Sequence, residues 1–443
     1  MSCRWGRRWS RPGAEHCYWG VRTLLGLAKR LEQEVCAVVF VGIDWSEQQH
    51  EVELQAGSGK VLKRLRVSAD IAGLSRLQEA ITDAAEEPSQ VVIGIESNHG
   101  LLVNALVASG YRVYPINPLT SARAREGEAP SRSKSDPGDA HVLANLVRTK
   151  RQDLRPLAGD SEQAQALQVR ARSHLRAIRV QQRLRSQLRS ALAKFFVGAL
   201  PLLGDESEDL RDALAVLSLA VSPEQGRGLS QNKIRSSLAR HGRQRNLEVK
   251  AAEIQAQLRA PQLELNTPKV VSAYADEVSH LVRSLLLARS EVAQLEAQLA
   301  ADFREHPDAE ILLSQPGLGL VLSARVLGES GDDPTRYVNA KARKNYAGNA
   351  PVTKRSGKWK MVSRRLARNR LLADAGFLWA NSALSASPGA RRYYDQLRAR
   401  GKTHNQASRA LANRLVGILH GCLRRRCLYD EAVAWIQPLK EAA

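Results

Sequence analysis

The stretch Ser135-Asp136-Pro137-Gly138-Asp139-Ala140-His141 sets two carboxylates three residues apart at an expected helix start. Asp136 precedes a Pro-Gly turn, and Asp139 falls in the first turn of the apolar run Ala140, Val142, Leu143, Leu146, Val147, so a capping role exists for one of them. It does not account for both. Two more acids lie upstream in a different setting: Asp44 ends the apolar run Val38 to Ile43, and Glu96 ends Val91 to Ile95. Each therefore stands at the exposed end of a buried strand. Taken singly, Asp139 fits a helix cap, and Asp44 and Glu96 fit solvent-facing strand ends. Together, four oxygen donors in the order Asp, Glu, Asp-x-x-Asp are what a hard divalent cation requires: Mg²⁺, with Mn²⁺ as the alternative. Two such ions flanking a phosphodiester stabilise both the attacking and the leaving oxygen.

The surrounding pattern alternates strand and helix. Strands are expected over Val38 to Asp44, His50 to Leu54 and Val61 to Val67, forming an antiparallel meander. A helix follows through Ile71, Leu74, Leu77 and Ile81, then a strand Val91 to Glu96, a helix Leu101 to Ser109 closed by Gly110, and a short strand Tyr111 to Ile116. That order predicts an α/β RNase H-like (RuvC-like) domain, with the first acid on the first strand and the second on the fourth. Residues 119–135, with Arg123, Arg125, Arg132 and Lys134 amid Ser, Gly and Pro, are expected to form a loop into the acidic pair. Its cations either steer phosphate or are simply solvated.

The chain has 443 residues, room for two or three domains, and 66 Lys plus Arg against 45 Asp plus Glu, a formal charge of +21. A surplus of that size points to a polyanionic partner, most simply nucleic acid. No apolar run approaches the roughly 20 residues of a spanning helix, so no membrane partner is expected. Five scattered cysteines give no disulfide framework and fit a reducing cytoplasm. Residues 1–36 are basic and aperiodic, expected to be disordered, and carry no signal-peptide pattern.

Beyond residue 156 long helices are expected. Arg172, Arg176, Arg179 and Arg183 form one basic stripe, with no acid between Arg170 and Arg189 to offset it, which favours phosphate contact over a merely solvated face. Tyr274, Val278, Leu281, Leu285, Ala288, Val292, Leu295 and Leu299 alternate spacings of 4 and 3, a heptad seam whose partner is either the basic helix or a second protomer. Gln315-Pro316-Gly317-Leu318-Gly319 is either a tight turn or a helix-hairpin-helix-like turn whose Gly317 and Gly319 admit a phosphate. From Lys341 to Arg370 there are eleven Lys or Arg and no acid, including Lys354, Arg355, Lys358, Lys360, Arg364 and Arg365. Ser356 lies among them. Alone, a Ser-Gly pair is an ordinary turn; in a cationic setting the hydroxyl is well placed to attack a phosphodiester.

Gly42-Ile43-Asp44-Trp45, Gly94-Ile95-Glu96, Lys134 to Ala140, Gln315 to Gly319, and Tyr346-Ala347-Gly348 through Pro351 to Ser356-Gly357 together resemble transposases of the insertion sequence 110 family. The resemblance runs from about Val38 to about Arg426 and implies a bacterial mobile-element recombinase of the cytoplasm and nucleoid. It implies an RuvC-like DEDD domain over 37–155, a helical coiled-coil region over 156–305, a mainly helical transposase domain over 306–430 and a tail over 431–443. Asp44, Glu96, Asp136 and Asp139 would bind Mg²⁺, and Ser356 would form a phosphoserine link to double-stranded DNA at element ends and target. A bridge RNA would guide a homo-oligomer, dimer or tetramer. One departure is Ala367, where the family tends to have Gly. The alternatives from other classes are a Holliday-junction-type nuclease, which leaves Ser356 idle, and a non-catalytic nucleic-acid-binding protein.

Overall fold

The computed structural model describes residues 38–97, 100–128, 136–157, 159–204, 207–357, 359–366 and 368–435. The expectations for residues 1–36, Arg132, Lys134, Ser135, Lys358, Ala367 and the end of the tail lie outside the described residues. Two compact units are present, Met1–Ala158 and Gly159–Ala443.

In the first unit, β1 (Val39–Asp44), β2 (Gln49–Gln55), β3 (Val61–Ser68), β4 (Val91–Ile95) and β5 (Arg112–Pro115) form one mixed sheet in the order β3-β2-β1-β4-β5. β2 is antiparallel to β1 and β3, while β4 is parallel to both β1 and β5. Central β1, up to its last residue Asp44, and β4 are apolar because both faces of the sheet are covered. On one face Val41, Ile43, Ile93 and Ile95 pack with Leu77 and Ile81 of α1 (Ile71–Thr82) and Leu106 of α2 (Leu101–Ala108). On the other, Phe40 and Val92 meet Val142, Leu143, Leu146 and Val147 of α4 (Asp136–Thr149).

One expectation is corrected here: Pro118–Glu128 is a helix, α3, rather than the start of a loop. Pro118 is pre-set for a first helical turn, the Asn117 side chain accepts from the Leu119 amide at 2.8 Å, and the following Ala, Arg and Glu are strong helix formers. Its Ser, Gly and Arg had concealed that propensity.

α4 lies unusually close to the sheet at two glycines. A Cβ on Gly42 would stand 2.5 Å from the Ala144 amide nitrogen, and one on Gly94 would stand 2.7 Å from the Leu143 carbonyl oxygen. Helix backbone rests directly on strand backbone at both points.

Among its described residues, the regular structure of the second unit is helical apart from one hairpin. Two long helices, α5 (Glu162–Phe195) and α10 (Pro268–Arg304), pair along their length. The heptad seam is therefore met within the chain: Val278, Leu281 and Leu285 share a core with Leu188, Leu192 and Phe195, and Tyr274 stacks on Phe195 at 5.3 Å. Short helices α6 (Ser207–Leu217), α7 (Pro223–Arg227), α8 (Gln231–Arg240) and α9 (Leu247–Arg259) complete that core. A second core gathers Leu167, Leu299 and Phe303 with α11 (Ala309–Leu313), α12 (Leu320–Ser330), α14 (Arg370–Ala386) and α16 (His404–Arg425) around fully buried Trp379. Between them in sequence come α13 (Ala340–Tyr346), the hairpin β6 (Val352–Ser356) and β7 (Trp359–Ser363), and later α15 (Pro388–Ala399) and α17 (Glu431–Ala434).

The close approach of α4 has a measurable consequence. Gly42→Ala is expected to destabilise the first unit by about 1–3 kcal/mol through overpacking against backbone that has no rotamer to yield. Gly127→Ala, which meets open space, is expected to be neutral or mildly stabilising. Urea midpoints followed by amide exchange of β1 and α4 report both; equal midpoints for the two variants would contradict the packing account.

Candidate active site

Ile43 and Ile95 are paired on parallel neighbours, so the residues that follow them, Asp44 and Glu96, emerge side by side from one edge of the sheet. Both are half-buried. Because α4 is seated on Gly42 and Gly94 through Ala144 and Leu143, its first turn, with Asp136 and Asp139, is anchored to those same two strands. Asp136 is exposed and Asp139 is buried. Glu96 accepts a short hydrogen bond from the Ser121 hydroxyl of α3, and Asp139 Oδ1 lies 2.5 Å from Arg125 Nη2 of the same helix. That ion pair is close, yet its angle makes no directed hydrogen bond, and both Asp139 Oδ1 and Arg125 Nε are buried without one. Among the described residues, no three acids, histidines or cysteines stand close enough together to hold an ion. The helix that supplies Arg125 and Ser121 draws two of the four carboxylates toward itself.

His141, the last residue of the acidic stretch, has a role the sequence did not reveal. Its Nδ1 lies 2.6 Å from Glu53 Oε1, and Glu53, 1% exposed on β2, also accepts from Gln55 at 2.7 Å and Arg64 at 2.7 Å. This cluster ties α4 to β2. Its sequence signal was weak: a Glu at an inward position of an alternating strand.

In the second unit, Ser356 closes β6 opposite Trp359. Gly357, at φ +56°, takes the left-handed conformation that a two-residue hairpin turn asks of its first position. Ser356, Lys354, Arg355, Trp359 and Lys360 are all exposed. The cationic stretch around Ser356 is thus a strand pair; the alternation of Trp359, Met361 and Ser363 around a Gly turn is its signal in the sequence.

A family model described as Transposase matches residues 41–197, and one described as Transposase IS116/IS110/IS902 family matches residues 309–395. The mini-circle putative transposase for IS117 of Streptomyces coelicolor is 40% identical over 408 residues, covering 91% of this chain and 98% of that protein. An uncharacterized 42 kDa protein of insertion element IS900 from Mycobacterium paratuberculosis is 30% identical over 89% of this chain and 98% of its own length. The chain belongs to the IS116/IS110/IS902 transposase family. The first match holds all four acids and the second holds Ser356.

Other residues singled out in this transposase have tasks the sequence did not show. Arg172 makes a two-pronged pair with Glu329 of α12, Nε to Oε1 at 2.7 Å and Nη2 to Oε2 at 3.0 Å. The acid missing from its neighbourhood in sequence is supplied from a distant helix, so Arg172 braces α5 against α12. Arg176, Arg179 and Arg183 remain exposed. A Cβ on Gly317 would stand 2.5 Å from the Ala383 amide nitrogen, and Trp379 donates to the Pro316 carbonyl at 2.9 Å, so this glycine is used to seat the turn on α14. Gly319 faces open space. Arg364 is exposed, whereas Arg365 is half-buried.

Burial alone would raise the Glu53 carboxyl, but the hydrogen bonds from Gln55, Arg64 and His141 outweigh it and hold the group below its ordinary 4.5. A folded-state value below the unfolded one stabilises fully above pH 4.5, and that stabilisation drains away as pH falls through the folded value. Glu53→Gln is therefore expected to lower stability at pH 7 by about 1–3 kcal/mol and to shallow the acid limb of the stability profile. Amide exchange of β2 and α4 between pH 3 and 7 measures it; an acid limb as steep as wild type would remove Glu53 from the account.

Proposed function

We propose that this transposase cuts and rejoins DNA through a divalent-metal site built on Asp44, Glu96, Asp136 and Asp139 and through Ser356 as nucleophile, on an RNase H-like domain. The sheet order β3-β2-β1-β4-β5 with β2 alone reversed supports the RNase H-like reading. The observation that carries the metal reading is the common origin of the four acids: two neighbouring strand ends and the helix turn seated on those strands. The donor set is all oxygen, which suits Mg²⁺ or Mn²⁺. Asp139 Oδ1, buried and without a directed hydrogen bond, is the kind of atom that a cation would satisfy. A bound ion supplies Lewis-acid neutralisation of phosphate charge. Ser121 and Arg125 orient and neutralise the carboxylates.

Ser356 Oγ forms a bond to phosphorus while the bond from phosphorus to the leaving-strand oxygen breaks; the hydroxyl proton is lost and the leaving oxygen gains one. Ester is exchanged for ester, so the link conserves the energy for rejoining. Arg355, Lys354 and Lys360, exposed beside Ser356, favour the developing anionic charge. Lys358, Arg364 and Arg365 extend the same cationic segment in sequence, and the surplus of +21 together with exposed Arg176, Arg179 and Arg183 supports a nucleic-acid surface wide enough for a guide RNA beside DNA. Gly319, open on its outer side, fits a phosphate contact better than Gly317 does. An oligomer acting at the nucleoid completes this reading, and no described helix is long and apolar enough to cross a membrane.

Wild-type protein incubated with DNA spanning its element's ends is expected to yield a protein–DNA adduct that survives denaturation and disappears with chelator. Ser356→Ala is expected to yield none, and Asp44→Asn, Glu96→Gln, Asp136→Asn and Asp139→Asn to lower cleavage by at least about a hundredfold. Cleavage that persists in Ser356→Ala without any adduct would replace the serine reading with the junction-nuclease one.

A further inference from the structure

The second unit contains a cavity of about 170 Å³ lined by Asn349, Arg368, Asp374, Phe377, Asn405 and Arg409. Two glycines make room for two of these side chains. Gly348, at φ +72°, lies beneath the Arg368 stem, where a Cβ would come within 2.8 Å of its Cγ; a Cβ on Gly376 would come within 3.0 Å of Asn349 Nδ2. Asn349 is only 5% exposed, and its Nδ2 has no hydrogen-bond partner. A buried donor left unmade is costly, so it marks a place where an acceptor is missing.

The charges agree. Burial, and then the neighbouring Arg368 and Arg364, lower the pKa of the Arg409 guanidinium. No ion pair among the described residues engages Arg364, Arg368 or Arg409. Asp374 is the single acid in the lining, and it also faces buried Arg325, whose cation it favours. Two guanidiniums in the lining, with Arg364 near Arg409, against one shared carboxylate leave the cavity cationic. Its volume falls below the roughly 300–1,000 Å³ of a site for a drug-sized ligand, yet it exceeds several waters at about 30 Å³ each.

We propose that this cavity binds one backbone phosphodiester of a nucleic-acid strand, with Arg368 and Arg409 donating to its non-bridging oxygens and Asn349 Nδ2 as a third donor. The inference rests on the reading above that the chain handles nucleic acid. Asn349 precedes β6 and Arg368 follows β7, whose ends are closed by the Val352–Ser363 pair, so the cavity lies toward the base of the hairpin that carries Ser356 at its tip. Four residue steps along a strand span on the order of 13 Å, about four nucleotide rises of 3.4 Å. The phosphate held here is therefore a few nucleotides from the one Ser356 attacks, and it fixes the register of the strand on the hairpin.

The test compares wild-type full-length chain with Arg368→Gln/Arg409→Gln on two probes, duplex DNA from the element's ends and the RNA transcribed from them, over a salt series. The double variant is expected to bind the occupying probe at least about tenfold more weakly. Its slope of log K against log salt should be shallower by about 0.9 for duplex DNA or 0.7 for a single strand. Loss on DNA alone, or on RNA alone, identifies the source of the phosphate. In a scan replacing single phosphates by neutral methylphosphonate, one position should weaken wild type and leave the double variant unchanged. A double variant with wild-type affinity and slope on both probes, or a scan with no such position, overturns the site while leaving the transposase reading intact. Wild type that binds neither probe with any salt dependence overturns both. Removing crowded, half-buried cations is expected to leave the melting temperature at or above wild type; a fall would mark the arginines as structural and overturn the proposal.

Discussion

The first unit depends on one close contact, the backbone of α4 resting on Gly42 and Gly94. Side chains on a sheet normally hold a helix off at about 10 Å, the spacing of packed layers. With no Cβ on two paired residues of adjacent strands, the helix sinks onto the sheet, and its first turn is fixed relative to the ends of β1 and β4. A larger residue at either point would lift the helix and carry Asp136 and Asp139 away from Asp44 and Glu96. The Gly-Ile-Asp and Gly-Ile-Glu motifs are then single devices: the glycine sets the helix height, the Ile fills the opposite core, and the acid is delivered at the edge.

Two of the four carboxylates are engaged by a helix of the protein's own, α3. Asp139 is buried, and an isolated buried carboxylate would shift to its neutral form or cost several kcal/mol; the Arg125 guanidinium keeps it paired. Glu96 is held by a neutral hydroxyl. On the proposed function, a cation brought to this edge would have to compete with Ser121 and Arg125 of α3 for two of the four carboxylates. The Glu53 cluster is a separate tie, since His141, two positions after Asp139, joins α4 to β2.

Legibility in the sequence followed the range of the interactions. β1, β4 and α4 announce themselves through local periodicity, because both faces of a central strand and one face of a helix are read from consecutive residues. The placement of Asp44 and Glu96 at strand ends, and of Asp136 and Asp139 in a helix's first turn, was legible because each is a local feature of consecutive residues. The α3 helix was not, since its Arg125 and Ser121 face Asp139 and Glu96, neighbours distant in sequence, and propensity was hidden by composition. Arg172 illustrates the same limit: its partner Glu329 lies 157 residues away, so a stripe that looks uncompensated is partly neutralised. Gly317 is open to both a tight turn and a phosphate contact in the sequence for a similar reason, its neighbour Ala383 being distant in the chain.

The hairpin of β6 and β7 stands apart from all of this packing. Nearly every residue of both strands is exposed, including Trp359, Met361 and Val362. A two-stranded ribbon with neither face covered is at best marginally stable in water. This one is fastened at its base, where the Asn369 amide donates to the Tyr346 carbonyl at 3.0 Å. Stability therefore falls off toward the tip, the end that carries Ser356. On the proposed function, contact of the outer strands with a polyanion supplies the ordering that the protein withholds, so that the nucleophile is held in a reactive position only once substrate lies along the cationic ribbon. Coupling order to substrate in this way keeps an enzyme that breaks DNA from doing so before the strand is in register.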